Sequence, residues 1–411
     1  MTAIKDGKRL RYGVTTGTCA AGAARACAAW LFNGKKCDRV RVHTPKGTDV
    51  WLTVNYACIS KASAECYVIK DSGDDPDVTD GCKVYARVSL VDDSDIKEFD
   101  KRLFMDENTD EDGAAVSMYL AGGAGIGYVT KPGLEQEVGY PAINKVPRKM
   151  IFEAVRRELG KYTEAVCRDK RNILITISIP DGEELSKKTF NSGLGIEGGL
   201  SILGTNGILE PMSEKAIVDT IELNIKQKSV LGTETLILVP GNYGLSYMEE
   251  YLKLPLKDAV KVSNYIGEAF DFGGFYGFKK ILLIGNIGKL CKLAAGIMNT
   301  HSRVADGRRE IFAYHAALIG GGRDTIGKIA ECVNTEAMLD ILEEENICGN
   351  VIESMCRAID EHIKRRCNEG IIAGAMLFSE KYGYLGATKE AEEIYGSLCG
   401  GRPRSGGFNN R

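Results

Sequence analysis

Residues 173–179 (ILITISI) form an apolar, β-branched run, the pattern of a strand. Two further runs, residues 235–239 (TLILV) and 280–284 (KILLI), each feed straight into a glycine turn, PGNYG and GNIGK, and then into a helical period. Strand, turn and helix in that succession predict βαβ units and a parallel sheet in the C-terminal half. The N-terminal half has a different rhythm. Residues 39–56 and 64–69 alternate apolar with polar positions, the period of paired antiparallel strands, and residues 84–90 add another strand. Helices are predicted over the alanine-rich residues 19–31, over 148–159 with Pro147 suited to the first turn, and over 214–225 with Ser213 as N-cap. A helix is also predicted over 289–298, another follows 305–310, and much of 324–366 is helical and charged.

The expected architecture is an α+β N-terminal domain with a mostly antiparallel sheet (residues 1–226), then a Rossmann-like α/β domain (227–380), then a C-terminal extension (381–411) whose residues 400–411 read as a flexible tail. A chain of 411 residues is long enough for two or three such cores. The charged stretch 92–112 reads as a loop or insertion.

Three segments carry candidate chemistry. Residues 189–213 (TFNSGLGIEGGLSILGTNGILEPMS) hold six glycines, Gly193, Gly195, Gly198, Gly199, Gly204 and Gly207, interleaved with Ile196, Leu200, Ile202 and Leu203. A free linker would not carry those apolar residues, so the segment is expected to be ordered. It reads equally as an anion-binding loop ahead of a helix or as a structural corner between domains. Residues 122–139 (GGAGIGYVTKPGLEQEVG) contain Gly123-x-Gly125-x-Gly127, a loop that suits a nucleotide or S-adenosylmethionine but lacks the acidic partner of a full fingerprint. Thr15, Thr16, Gly17 and Thr18 precede the alanine-rich helix. They serve as helix caps, or hold a carboxylate or phosphate there. The acidic residues 71–80 do not match a calcium loop, so a solvated or substrate-facing turn is expected.

Composition narrows the classes. The net charge of −3 gives no support to nucleic-acid binding. The 13 cysteines form no Cys-x-x-Cys pair and no leader pattern precedes them, so reduced thiols in a cytoplasmic protein are expected. No apolar run reaches the length of a membrane helix, and the four histidines have no zinc-type spacing, so neither a membrane nor a protein metal is expected.

Four blocks resemble one family when taken together: LRYGVTTGTCAAGAARA; GYVTKPGL with GYPAIN and PR; residues 189–213; and GNIGKLCKLAAGIMNTHSRVADGRRE. In order, they span residues 10 to about 320 and are similar to the CbiD family, the cobalt-precorrin-5B C(1)-methyltransferases of anaerobic cobalamin biosynthesis. The resemblance implies methyl transfer from S-adenosylmethionine to C-1 of a cobalt-containing tetrapyrrole, giving cobalt-precorrin-6A. The implied partner is that cobalt-precorrin, with a homo-oligomer left open. Such a substrate carries acetate and propionate arms, which calls for cations and capped helix starts around a cleft, expected between the two domains. Substrate contacts are assigned to Thr15, Thr16, Thr18, Lys131, Arg148, Asn191, Thr205, Asn299, Thr300, Arg303 and Arg308. The methyl donor is assigned to Gly285, Asn286, Gly288 and Lys289, with Gly123, Gly125 and Gly127 as the other candidate loop. His301 and Asp306 are the catalytic candidates. His301 assists a proton transfer or bonds a substrate arm, and Asp306 orients His301 or caps the next helix. Two rival readings stay open: a non-catalytic corrinoid-binding protein, and a nicotinamide-dependent oxidoreductase using Gly285-x-x-Gly288.

Overall fold

Helix α1 (Thr16–Asn33) is made almost entirely of side chains too small to hold a sheet at a distance. Cys19, Ala20, Ala21, Ala23, Ala24, Cys27 and Ala28 are fully buried along it, so the helix is apolar on nearly every side and lies inside its unit. It packs on strands β7 (Ser63–Ile69) and β8 (Lys83–Val91) and on helix α3 (Lys145–Leu159). The computed structural model describes residues 2–5, 7–99, 101–106, 116–160, 172–189 and 191–399, and the chain divides into two units, 1–213 and 214–411.

The strands of the first unit are β1 (Thr2–Lys5), β2 (Lys8–Arg11), β3 (Gly13–Val14), β4 (Arg39–His43), β5 (Asp49–Thr53), β6 (Asn55–Ile59), β7 (Ser63–Ile69), β8 (Lys83–Val91), β9 (Phe104–Asp106), β10 (Met118–Gly122), β11 (Tyr128–Val129), β12 (Asn172–Ser178), β13 (Ile196–Glu197) and β14 (Ile208–Leu209). Its other helices are α2 (Asp93–Lys97), α3 (Lys145–Leu159) and α4 (Gly182–Ser186). One six-stranded sheet has the order β6-β7-β8-β12-β10-β9, antiparallel at every junction except β12 with β10. Ile173, Ile175 and Ile177 of β12 are fully buried in its centre.

The second unit contains α5 (Glu214–Val230), β15 (Thr235–Val239), α6 (Asn242–Glu250), β16 (Ala259–Lys261), α7 (Ile266–Phe275), β17 (Lys280–Asn286), α8 (Ile287–Leu290), α9 (Arg308–Leu318), α10 (Arg323–Glu331), α11 (Thr335–Glu344), α12 (Cys348–Arg366), β18 (Ile372–Ser379), β19 (Gly383–Ala387) and α13 (Lys389–Leu398). Its sheet runs β16-β15-β17-β18-β19, with the first four strands parallel and β19 antiparallel. Alternate residues serve two separate cores. Leu236, Leu238, Ile281, Leu283 and Leu377 pack with α5, α7 and α12, whereas Ile237, Val239, Leu282, Ile284 and Phe378 pack with α6 and α13. Apolar side chains on both faces explain the unbroken hydrophobic runs.

Several expected boundaries move. The division falls at 213/214 and not at 226/227, because Ile221 and Ile225 of α5 join the core beneath β15. The described part of the expected C-terminal extension is packed: β19 pairs with β18, and Ala391 and Ile394 of α13 are buried. Residues 400–411, the expected tail, lie outside the described residues. In the charged stretch 92–112, β9 is a paired edge strand, and residues 100 and 107–112 lie outside the described residues. Helix α3 starts at Lys145, ahead of the expected 148, with Asn144 as its N-cap and Pro147 in its first turn. The helix expected over 289–298 is one α turn followed by a 3-10 stretch, Cys291–Ala295. Asn286 starts it early and Gly296, in the left-handed region (φ 74°), ends it.

Among the described residues, the tightest backbone approach at a glycine lies at Gly125. A Cβ there would stand 1.8 Å from the Ile179 carbonyl oxygen, and φ is +70°. Gly125→Ala is expected to cost more than about 3 kcal/mol, since neither the strain nor the backbone collision can relax. At Gly198 (φ +81°) a Cβ would meet nothing, so Gly198→Ala should cost only about 1–2 kcal/mol for its left-handed backbone. Denaturant unfolding of the two variants checks the contrast.

Candidate functional site

Residues 189–213 close on their own unit. Thr15 caps α1, its Oγ1 accepting from the Thr18 amide (3.2 Å). Thr16 Oγ1 donates to the Leu203 carbonyl (3.3 Å) and accepts from the Leu203 amide (2.9 Å). Gly17 N–H donates to the same carbonyl (2.9 Å), and the fully buried Thr18 Oγ1 donates to the Gly207 carbonyl (2.7 Å). The hydroxyls assigned to a substrate are therefore engaged in lacing the glycine segment onto the start of α1. Asn191, also assigned to the substrate, is buried; its Nδ2 donates to the Gly199 carbonyl (3.2 Å). Thr205 is exposed.

The Gly123-x-Gly125-x-Gly127 loop is likewise consumed. Gly127 N–H donates to Leu200 O and Leu200 N–H donates to Gly125 O, both at 2.9 Å. A Cβ at Gly127 would stand 2.7 Å from Gly199 O. The glycines let this loop, the end of β12 and the 189–213 segment touch backbone to backbone. Lys131 is exposed, with its stem against Gly195. Arg148 lies over the Phe104 ring, 4.0 Å from its centroid, and pairs with Glu135 at 3.2 Å. The acidic residues 71–80 form a largely exposed turn, as expected, and also act as a clamp. Asp71 takes Arg11 in a two-pronged pair, Asp77 takes the buried Lys70 (2.7 Å), and Asp75 accepts from the Met212 amide (2.7 Å).

In the second unit the connection from β15 leads to β16 on one side, and that from β17 leads to β18 on the other. The carboxyl ends of β15 and β17 thus flank a topological switch point, where open α/β sheets bind ligands. Pro240, Gly241 and Asn242 follow β15; Ser263 and Asn264 lie beyond β16; Asn286, Gly288 and Lys289 close β17. Lys289 spans the switch point: its Nζ donates to Pro240 O (2.8 Å) and Ser263 O (3.3 Å). Burial, with Lys292 as a second cause, lowers its pKa. Asn286 caps α8 by accepting from the Gly288 amide (2.8 Å). Gly285 is packed under Leu290. Ser263 has φ +52°, a strained left-handed serine at the strand end.

The 299–308 segment joins this end. Thr300 N–H donates to Asn264 O (3.0 Å) and its Oγ1 to Asn264 Oδ1 (3.2 Å). Asn299 Oδ1 accepts from the His301 amide (3.1 Å). His301 is exposed, and its Nδ1 accepts from the Arg303 amide (3.2 Å). The neutral ring therefore carries its proton on Nε2 and presents a donor outward. Asp306 does not cap α9, whose cap is Gly307. Its carboxylate is bound by Arg308 (Nη2 at 2.9 Å) and lies 3.8 Å from Lys292, and the Arg308 bond lowers its pKa. Burial pushes the Cys19 and Cys291 thiols up to about 12, which keeps both protonated. A cavity of about 500 Å³ in this unit, lined by Phe270, Phe275, Arg366 and Ile371, opens at the amino end of β18, opposite the strand ends just described.

The structure thus gathers Asn286, Gly288, Lys289, Asn299, Thr300, His301, Arg303, Asp306 and Arg308 at one end of the second sheet. Thr15, Thr16, Thr18, Asn191, Gly123, Gly125, Gly127 and Lys131 are gathered about the 189–213 segment of the first unit. The sequence reading missed Lys292, Asn264 and the exposed Tyr243 on the first turn of α6. Lys292 was legible as a charge inside an apolar run, and Tyr243 as the aromatic in a strand-end glycine turn. Ser263 carried no signal, since nothing in a serine announces a positive φ.

Family models match twice: CbiD over residues 3–211, and the CbiD C-terminal domain over residues 299–389. The cobalt-precorrin-5B C(1)-methyltransferase of Ruminiclostridium cellulolyticum is 43% identical over 377 residues, 92% of this chain and 91% of that protein. That of Clostridioides difficile is 38% identical over 401 residues, 95% and 97% of the two chains. That of Treponema denticola is 39% identical over 390 residues, 93% and 98% of the two. Among solved structures, the crystal structure of the cobalamin biosynthesis protein CbiD from Archaeoglobus fulgidus matches at 25% identity, covering 75% of this chain and 87% of that one, with a TM-score of 0.37.

Thr18→Val removes the shorter of two hydrogen bonds to the buried Gly207 carbonyl, leaving the Thr15 amide at 3.3 Å, and should cost about 1 kcal/mol, whereas exposed Thr205→Ala should stay within about 0.5 kcal/mol; chemical denaturation reads both. Asp306 carries a sign for pH. Its folded pKa lies below its unfolded value of about 3.9, so its contribution is full above that pH and is lost as pH falls through the folded value. The stability gap between wild type and Asp306→Asn should be flat at neutral pH and close in acid, as read by unfolding across a pH series.

Proposed function

The chain belongs to the CbiD family, and we propose that it transfers a methyl group from S-adenosylmethionine to C-1 of cobalt-precorrin-5B, giving cobalt-precorrin-6A. The observation that carries the reaction is full-length similarity to relatives named for that activity. The cobalt belongs to the substrate.

The carboxyl end of the second sheet is the better home for the methyl donor. Four parallel strands with apolar cores on both faces support reading this unit as Rossmann-like. Gly241 is the telling residue. Its backbone is extended (φ 177°), and a Cβ there would meet nothing within 4 Å. The fold itself does not require glycine at that position, but a ligand lying on the backbone at the switch point would. In the Gly123 to Gly127 loop the crowding comes from the protein's own backbone.

The donor set suits S-adenosylmethionine. Lys289 spends two of its three N–H bonds on Pro240 and Ser263 and keeps one for a carboxylate. Its charge and that of Lys292 repel a sulfonium, so the carboxylate end of the donor belongs near Lys289 and the sulfonium away from it. Bound S-adenosylmethionine supplies an electrophilic methyl group, and an in-line displacement makes positioning the main task of the protein. Arg303 and the Nε2–H of His301 bind acidic arms of the substrate. With Nδ1 occupied by the Arg303 amide, His301 acts as a donor and not as a base. Thr15, Thr16 and Thr18 support the fold of the first unit.

Calorimetric titration of S-adenosylhomocysteine, with and without cobalt-precorrin, tests this reading. Gly241→Ala should keep wild-type unfolding within about 0.5 kcal/mol yet lose binding by about tenfold or more, and Gly288→Asp should abolish it. Binding that survives both changes moves the donor to the Gly123 to Gly127 loop. No binding by the wild type under either condition favours a corrinoid carrier.

A further inference from the structure

We infer that Lys292 is a positioning residue of this site, a buried ammonium that pins the 299–306 loop carrying His301 and Arg303. The inference rests on reading that loop as the binder of substrate arms.

Lys292 is 2% exposed. Its Nζ donates to Thr300 O (3.1 Å) and Ala305 O (2.8 Å) and lies 3.8 Å from Asp306 Oδ1. All three oxygens belong to one short loop. The outer residues of that loop, His301, Ser302, Arg303 and Val304, are exposed. The stem beneath is rigid: Lys292 sits in the 3-10 stretch Cys291–Ala295, whose Cys291 and Leu293 are fully buried. Gly296 then turns in the left-handed region, and the following chain returns over the ammonium.

A buried ammonium is tolerated only when oxygens answer its N–H bonds, and removing them leaves an uncompensated charge. The loop is therefore held in the one arrangement that places the carbonyls of residues 300 and 305 on Nζ. An apolar side chain would fill the same space without choosing among loop conformations. Lys289, three residues earlier, does the same for the turns after β15 and β16. Two lysines on successive turns thus register three loops at the strand ends.

The test uses the full chain with Lys292→Met and Lys292→Arg. Hydrogen exchange read by mass spectrometry should show the amides of 299–306 exchanging about tenfold faster or more in Lys292→Met, with the strands of the sheet unchanged. The KM for cobalt-precorrin-5B should rise about tenfold while S-adenosylhomocysteine affinity stays within about threefold, and Lys292→Arg should recover most of the loss. Unchanged exchange over 299–306, or an unchanged KM, overturns the proposal. Should Lys292→Met fail to fold, Lys292→Gln keeps a donor without the charge and is read against the same two outcomes. A wild type that binds S-adenosylhomocysteine but turns over no tetrapyrrole counts against the functional reading. The exchange measurement still decides the pin.

Discussion

Three stretches of backbone meet at Gly125 with no room for a side chain. The Ile179 carbonyl lies where a Cβ would be, Gly182 N is 2.9 Å from that point, and a Cβ on Gly199 would stand 2.2 Å from Gly125 O. That contact fixes the ends of β10 and β12 against the 189–213 segment. The segment in turn reaches the cap of α1 through Leu203 and Gly207, and Asp75 through Met212. Gly125, Gly127, Gly199 and Gly207 are solutions to close packing, and the threonine hydroxyls beside them complete its hydrogen bonds. Chemistry and architecture compete for the same residue types there, and architecture has taken most of them.

The second unit distributes these roles differently. Its sheet is held by ordinary apolar burial on two faces, which leaves the strand ends free to be shaped by polar contacts. Two lysines, a strained serine and two asparagines do the shaping. Moving a methyl group from a sulfonium to a ring carbon needs no protein nucleophile. The buried, protonated Cys291 supplies none, in keeping with the proposal that this end of the sheet positions its ligands.

Much of this was legible from periodicity. The runs at 235–239 and 280–284 announced strands buried on both faces, and the alternation over 39–69 announced antiparallel pairs, because burial on one face or two leaves a direct mark on residue choice. The site was half legible. Asn286, Gly288, Lys289 and the 299–308 group stand together because they lie near one another along the chain and follow a strand. Thr16 and Thr18 were assigned to a ligand because a hydroxyl near a glycine looks the same whether its partner is a substrate or a carbonyl nearly two hundred residues away. Only the fold says that Leu203 and Gly207 are those carbonyls. Gly241 and Gly125 make the same point in reverse: both are glycines in a turn, and only coordinates show that one is crowded and the other is not.

The lacing of the 189–213 segment also bears on how the chain acquires its structure. The start of α1 leaves the ribosome well before residues 203 and 207, yet the carbonyls that satisfy Thr16 and Thr18 belong to Leu203 and Gly207. Closing so long a loop comes before any of its reward, and contacts of high sequence separation slow the barrier crossing. The first unit therefore spends its synthesis as an incomplete body, with an alanine-rich helix and a sheet awaiting their last strap. The second unit closes shorter spans, since Ile237 pairs with Ala259, Thr235 with Lys280 and Lys280 with Ile372, so its wait is briefer. The same strap that leaves the first unit so tightly determined makes it the slower half to mature and the half most dependent on protection while nascent.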